Sequence, residues 1–158
     1  MSNRQVTGLR RDMVANCRWA VAHRDGFRYE QVRPIPVGAS RDDQPIITDC
    51  SGFVTLMARW SGIEDPNGRG YNGEGYTGTL LEHLPAAGFG RTRPGDIAVF
   101  GRFPGVHCAV LLEGGAQVAD PAVASHGVPG DPRRTELSRL IRYFRTDGPV
   151  VFLRLVGE

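Results

Sequence analysis

Of the residues that could do covalent chemistry here, three cysteines and four histidines, one cysteine stands out by its setting. Cys50 lies in the stretch Asp49-Cys50-Ser51-Gly52-Phe53-Val54. Upstream, Pro45-Ile46-Ile47-Thr48 is extended and carries a proline, so no helix reaches Cys50 from that side. Downstream, Phe53, Val54, Met57 and Trp60 recur at helical spacing until Gly62 stops the run. A thiol in the first turn of a helix lies among unbonded backbone N–H groups at the positive end of the macrodipole. That setting lowers its pKa and favours the thiolate, the form that attacks carbonyl carbon. Position alone also allows Cys50 to be a small buried hydrophobe, as most free cysteines are.

A thiol nucleophile needs a base to take its proton and a third group to orient that base. His107 sits inside Val106–Glu113, where His107, Ala109 and Leu111 face one way and Val106, Cys108, Val110 and Leu112 the other. Gly114-Gly115 reads as a two-residue hairpin turn, with Ala116–Asp120 as the returning strand. In that register Glu113 pairs with Ala116 and Ala109 with Asp120. Asp120 then shares a face with His107, lies diagonal to it, and can accept a hydrogen bond from its far ring nitrogen. The plainer readings are a core histidine and an aspartate that caps the turn before Pro121. His126, in Ser125-His126-Gly127, is the alternative third residue, while His23 and His83 fall on helix positions open to solvent.

The elements that must position these groups follow from periodicity. Residues 7–24 form an amphipathic helix with Leu9, Met13, Cys17, Ala20 and Val21 on its apolar stripe and Arg10, Arg11, Arg18 and Arg24 largely off it. Residues 27–48 are an irregular approach holding Pro34, Pro36 and Pro45. The Cys50 helix spans about 50–61, and the turn-rich run from Glu64 to Thr79, with Tyr71 and Tyr76, is either a binding wall or a connector. Thr79–Leu84 is a short helix. Strands follow at Asp96–Phe100 and Val106–Glu113, then the return Ala116–Asp120, a loop over 121–132, a helix over Thr135–Phe144 and a last strand at Val150–Val156. Helices first and an antiparallel sheet later make the class α+β.

With 158 residues, 41% hydrophobic and 23% charged, the chain has the composition of one globular domain spanning 1–158. All 19 basic residues are arginine, a mark of GC-rich coding. The net charge of +2 is too small to argue for nucleic acid. The cysteines lack disulfide or zinc spacing, so Cys17 and Cys108 read as buried and inert, and no metal or cofactor is expected. No signal peptide and no stretch of the ~20 apolar residues needed for a membrane span is visible.

Three motifs together resemble the NlpC-type cell-wall cysteine peptidases, a papain-like α+β family. They are Asp49-Cys50-Ser51-Gly52-Phe53-Val54, Arg93-Pro94-Gly95-Asp96-Ile97-Ala98-Val99-Phe100, and Gly105-Val106-His107-Cys108-Ala109-Val110-Leu111-Leu112. They stand in the family order and the resemblance covers roughly residues 7–125. It implies N-terminal helices packed on an antiparallel sheet, Cys50 as nucleophile and His107 as general base. The family's third residue is usually His, Asn or Gln; here Asp120 fills that place, a departure from the pattern. Tyr29, in Phe27-Arg28-Tyr29, corresponds to a tyrosine near the reacting carbonyl, and Asp49 and Ser51 to residues that hold a substrate's free amine. The implied partner is bacterial peptidoglycan, cut at the D-glutamyl–diaminopimelate bond of the stem peptide by a monomer. An N-acetylmuramoyl-L-alanine amidase and a non-catalytic binding protein on the same fold are the alternatives. Lack of a leader or wall-binding repeat suggests a bacteriophage endolysin or tail-associated hydrolase delivered by a separate route, or a catalytic domain cut from a longer enzyme, and an actinobacterial or actinophage origin suits the Arg-only composition.

Overall fold

Helix α1 spans Asn3–Ala22, starting before residue 7 because Ser2 caps it. The Ser2 hydroxyl accepts from the Gln5 N–H while the Gln5 side chain accepts from the Ser2 N–H, a reciprocal capping box. These positions come from a computed structural model that describes residues 1–144 and 148–157. Met13, Cys17 and Ala20 are buried on the expected stripe. Arg10, expected off it, is buried as well: Nη1 donates to Asp96 Oδ1 at 2.8 Å and to the Pro94 carbonyl at 3.1 Å, and Nη2 donates to the Val156 carbonyl. Asp96 also pairs with Arg154 at 3.4 Å, so one buried carboxylate ties the first helix to the last residues of the chain.

The approach expected to be irregular contains a short parallel pair, β1 (Phe27–Tyr29) and β2 (Ile46–Thr48), with Tyr29 opposite Thr48. Helix α2 runs Cys50–Trp60 and is buried from Cys50 through Ala58. Asp49 caps it, its Oδ1 accepting the Gly52 N–H at 2.8 Å. A methyl at Gly52 would lie 2.9 Å from that carboxylate oxygen and 3.2 Å from Thr48 Cβ, so the turn into the helix closes only around glycine. The turn-rich run is pinned by Asp65 and Asn67: Asn67 donates to Thr55 Oγ1 and accepts from Thr79 Oγ1. It leads into α3 (Thr77–His83).

Six strands form one antiparallel sheet in the order β3 (Ala86–Ala87), β8 (Val150–Leu153), β4 (Ile97–Phe100), β5 (His107–Leu111), β6 (Ala122–Ser125) and β7 (Arg133–Glu136). Alternation sends Ile97, Val99, Cys108 and Val110 toward α1 and α2. Ala98, Phe100, Ala109 and Leu111 go to the opposite face, covered by α4 (Leu137–Phe144). The architecture is the α+β arrangement that the pattern of elements predicts, with N-terminal helices on an antiparallel sheet.

The expected hairpin after β5 is corrected. No strand forms over 116–120; Ala109 pairs with Ser125 rather than Asp120, and residues 122–125, expected as loop, are the returning strand. Gly114 and Gly115 serve close approach instead of a two-residue turn: added methyls would sit 2.3 Å from the Thr92 carbonyl oxygen and 2.4 Å from that of Phe89. The Gly115 N–H donates to Thr92 Oγ1 at 2.8 Å, so the segment docks on that loop before reversing. Likewise residues 133–136 pair as β7 before α4 begins.

Candidate active site

The last residue of β1 lies beside the last residue of β2, two positions before Cys50, and this pairing carries Tyr29 into a cleft at the N-terminus of α2. The cleft encloses about 420 Å³ and is lined by Tyr29, Arg33, Asp49, Cys50, Ser51 and Tyr76, with Gly105 and Val106 at the approach to β5. The turn-rich run supplies part of the wall through Tyr76, and its Gly75 carbonyl accepts from Arg33 Nε, while Tyr71 turns away to lie under Arg59.

Cys50 is 8% exposed. Its thiol is held well below the ordinary range, most of all by hydrogen bonding with the Cys108 side chain. Burial works against that, and hydrogen bonding and charge from His107, with the Cys108 backbone N–H, add to the lowering. The first-turn N–H groups of α2 act in the same direction. Cys108 moves the opposite way, raised first by hydrogen bonding with Cys50 and then by burial, so it stays a protonated thiol beside Cys50. Alternation does send Cys108 away from Ala109 and Leu111, but that face is the one α2 covers.

His107 opens β5 and is 4% exposed. Its ring stacks on Phe100 and Phe144, with centroids 5.9 and 5.0 Å away, and its Nε2 lies 2.8 Å from Ser125 Oγ. Ser125 stands opposite Ala109, two residues along from His107 on the same face. With Nε2 engaged by Ser125, Nδ1 is the nitrogen left to exchange a proton with Cys50. Gly127 completes the seat, since a methyl there would come within 2.9 Å of His107 Cε1.

Asp120 is not brought to this group. It is exposed and accepts from the Ser138 N–H at 2.9 Å and the Ser138 hydroxyl at 2.6 Å; those bonds, the hydroxyl's first, hold its carboxyl below the usual range. The register shift in β6 carries it past the end of the strand. His126 is buried against Phe27, Tyr29 and Phe53 on the α2 side, and burial depresses its pKa and keeps it neutral. Ser125, not His126 or Asp120, is the side chain hydrogen-bonded to His107.

The Tyr29 phenol is pushed above its ordinary range, first by burial and then by the negative charge of Cys50 and Asp49, so it stays a hydrogen-bond donor in the cleft. Asp49 and Ser51, expected to hold an amine, meet a cation of the chain itself. Arg33 Nη2 donates to Asp49 Oδ2 and to Ser51 Oγ, each at 3.1 Å. Arg33 and Ser125 had no distinguishing sequence signal: one lies in a proline-rich approach, and the other depends on a strand register set by distant packing. Among the described residues no group of three or more His, Cys, Asp or Glu side chains could hold a metal ion, and no helix is long and apolar enough to cross a membrane.

No protein-family model matches the chain, and no curated protein matches it by sequence. Among solved structures it is similar to a Staphylococcus aureus subsp. aureus Mu50 protein described as similar to lipoprotein, NLP/P60 family, with a TM-score of 0.56 at 14% identity. That likeness covers 100% of this chain but only 43% of the other, so the chain spans less than half the length of its structural neighbour. What the two share is the fold; in this chain it is a layer of N-terminal helices on an antiparallel sheet, with Cys50 at the head of α2.

Proposed function

We propose that this chain is a cysteine peptidase that hydrolyses amide bonds in bacterial cell-wall peptides. The observation that carries the reading is the meeting of a low-pKa thiol at the start of α2 with His107, whose far nitrogen bonds Ser125. A buried packing cysteine has no need of a base that is itself oriented by a third residue.

The chemistry follows from the geometry. The Cys50 thiolate attacks the amide carbonyl carbon, and the carbonyl π electrons move onto oxygen. The Cys50 backbone N–H and the Tyr29 hydroxyl are the donors for that oxyanion. His107, protonated at Nδ1, gives its proton to the departing amine as the C–N bond breaks and leaves a thioester on Cys50. Neutral His107 then takes a proton from water, whose oxygen attacks the thioester; the acid departs and the thiolate and imidazolium return.

The finer reading, supported by the motif resemblance, is cleavage of the D-glutamyl–diaminopimelate bond in a peptidoglycan stem. The actinobacterial or actinophage origin rests on the Arg-only composition. Mass spectrometry of muropeptides after digestion of purified peptidoglycan tests the activity: new fragments with N-terminal diaminopimelate are expected, and none from Cys50→Ala. Release of stems with a free L-alanine amine would instead identify an amidase, and equal digestion by Cys50→Ala would overturn the thiol mechanism.

A further inference from the structure

The Asp49–Ser51 pair beside Cys50, which the motif resemblance assigns to a substrate's free amine, is occupied by a cation of the chain itself. Besides its bonds to Asp49 and Ser51, Arg33 donates from Nε to the Gly75 carbonyl at 2.8 Å and from Nη1 to the Val32 carbonyl at 2.6 Å. Four of the five guanidinium N–H groups are therefore engaged, across three segments of the cleft wall. The side chain is 35% exposed, so it forms part of the surface a substrate meets.

An incoming ammonium would find the Asp49 carboxylate paired and a planar cation in its place. Both groups carry only donors, and their like charges repel. An acylated nitrogen behaves differently. It is uncharged, and the carbonyl oxygen of its cap is an acceptor for the guanidinium hydrogen left on Nη1.

We infer that Arg33 is a specificity-determining residue that closes this subsite to free amines and directs the cleft to peptides whose terminal nitrogen is acylated. The inference rests on the peptidase reading above. The substrate class is thus an uncut, N-capped stem or other N-acyl peptide, and small peptides bearing a free α-ammonium at that position are poor substrates.

The test uses two thiol-directed vinyl sulfones built on L-alanyl-γ-D-glutamate, one N-acetylated and one with a free ammonium. Intact mass gives the rate of Cys50 modification near pH 6.5, and iodoacetamide gives the reactivity of the same thiol without use of the subsite. The full-length protein should react at least about tenfold faster with the acetylated probe, the scale of an unfavourable like-charge contact. Arg33→Gln should lose that preference or invert it, while Arg33→Lys, which keeps the cation, should retain most of it. Thermal melting selects variants that fold, with Arg33→Ala as a second neutral substitution. Equal rates for the two probes, faster reaction of the ammonium probe, or an acetyl preference unchanged in the neutral variants overturns the role of Arg33. So does failure of both probes beside fast iodoacetamide labelling of Cys50. Slow iodoacetamide labelling of Cys50 overturns the peptidase reading and this inference with it.

Discussion

Three side chains divide the chemistry at the candidate centre, and each is tuned by a different neighbour. Cys50 is brought down by Cys108 and His107 against the cost of burial, Tyr29 is pushed up by burial and by the charges of Cys50 and Asp49, and His107 is steadied by Ser125. A serine hydroxyl can donate or accept, so it orients the ring without adding charge. Removing it should therefore cost less than removing the base. Ser125→Ala is expected to lower kcat by roughly tenfold, short of the 10²–10⁴ that a general base contributes, with KM little changed. Steady-state kinetics on a cell-wall peptide checks this, and a loss as large as that of His107→Ala would mean that Ser125 does more than orient.

Elements, rather than single residues, decide which side chains meet. The Cys50 helix was legible in the sequence because the extended, proline-bearing stretch before it bounds its start and Phe53, Val54 and Met57 mark its face. His107 was legible for a similar reason, since alternation in β5 leaves little freedom. The return strand was not. Gly114-Gly115 carries the local signature of a tight hairpin, yet both glycines are there because the Thr92 and Phe89 carbonyls leave no room for a side chain. That tertiary contact delays the return to Ala122 and exchanges Asp120 for Ser125 as the partner of His107. The turn after β6 is under the same constraint. Gly127→Ala would press a methyl onto His107 Cε1, and because the ring is also stacked on Phe100 and Phe144, it has little space to yield. The expected result is a clear fall in kcat with a smaller effect on melting temperature, read by kinetics beside thermal unfolding.

At the scale of the molecule, a buried ion cluster links the N-terminal helix to the sheet. Asp96 is fully buried at the head of β4 and meets Arg10 from α1 and Arg154 just after β8. Arg10 looks like a surface position in a helical pattern, and only the packed structure reveals a carboxylate waiting for it. Removing one partner of such a cluster leaves cations uncompensated away from water. Asp96→Ala should destabilise the fold by about 3–5 kcal/mol in denaturant titrations, while the exposed pair Arg134–Glu136 should be worth about 0–1 kcal/mol. If Asp96→Ala proves nearly neutral, the helix is held on the sheet by its apolar stripe alone.

The central claim is that Cys50 is an activated thiolate served by His107, and competitive alkylation tests it most directly. The native protein is treated with limiting iodoacetamide across a pH series, and labelling of Cys17, Cys50 and Cys108 is measured by peptide mass spectrometry. Burial raises Cys17, and the hydrogen bond with Cys50 together with burial raises Cys108, so both should stay unlabelled until the protein unfolds. Because the Cys50 pKa is lowered, its labelling should rise with pH earlier than that of an ordinary thiol, and His107→Ala should move that rise toward higher pH. Slow labelling of all three cysteines at neutral pH, or a Cys50 profile that rises only near the ordinary thiol pKa of about 8.5, would contradict the account.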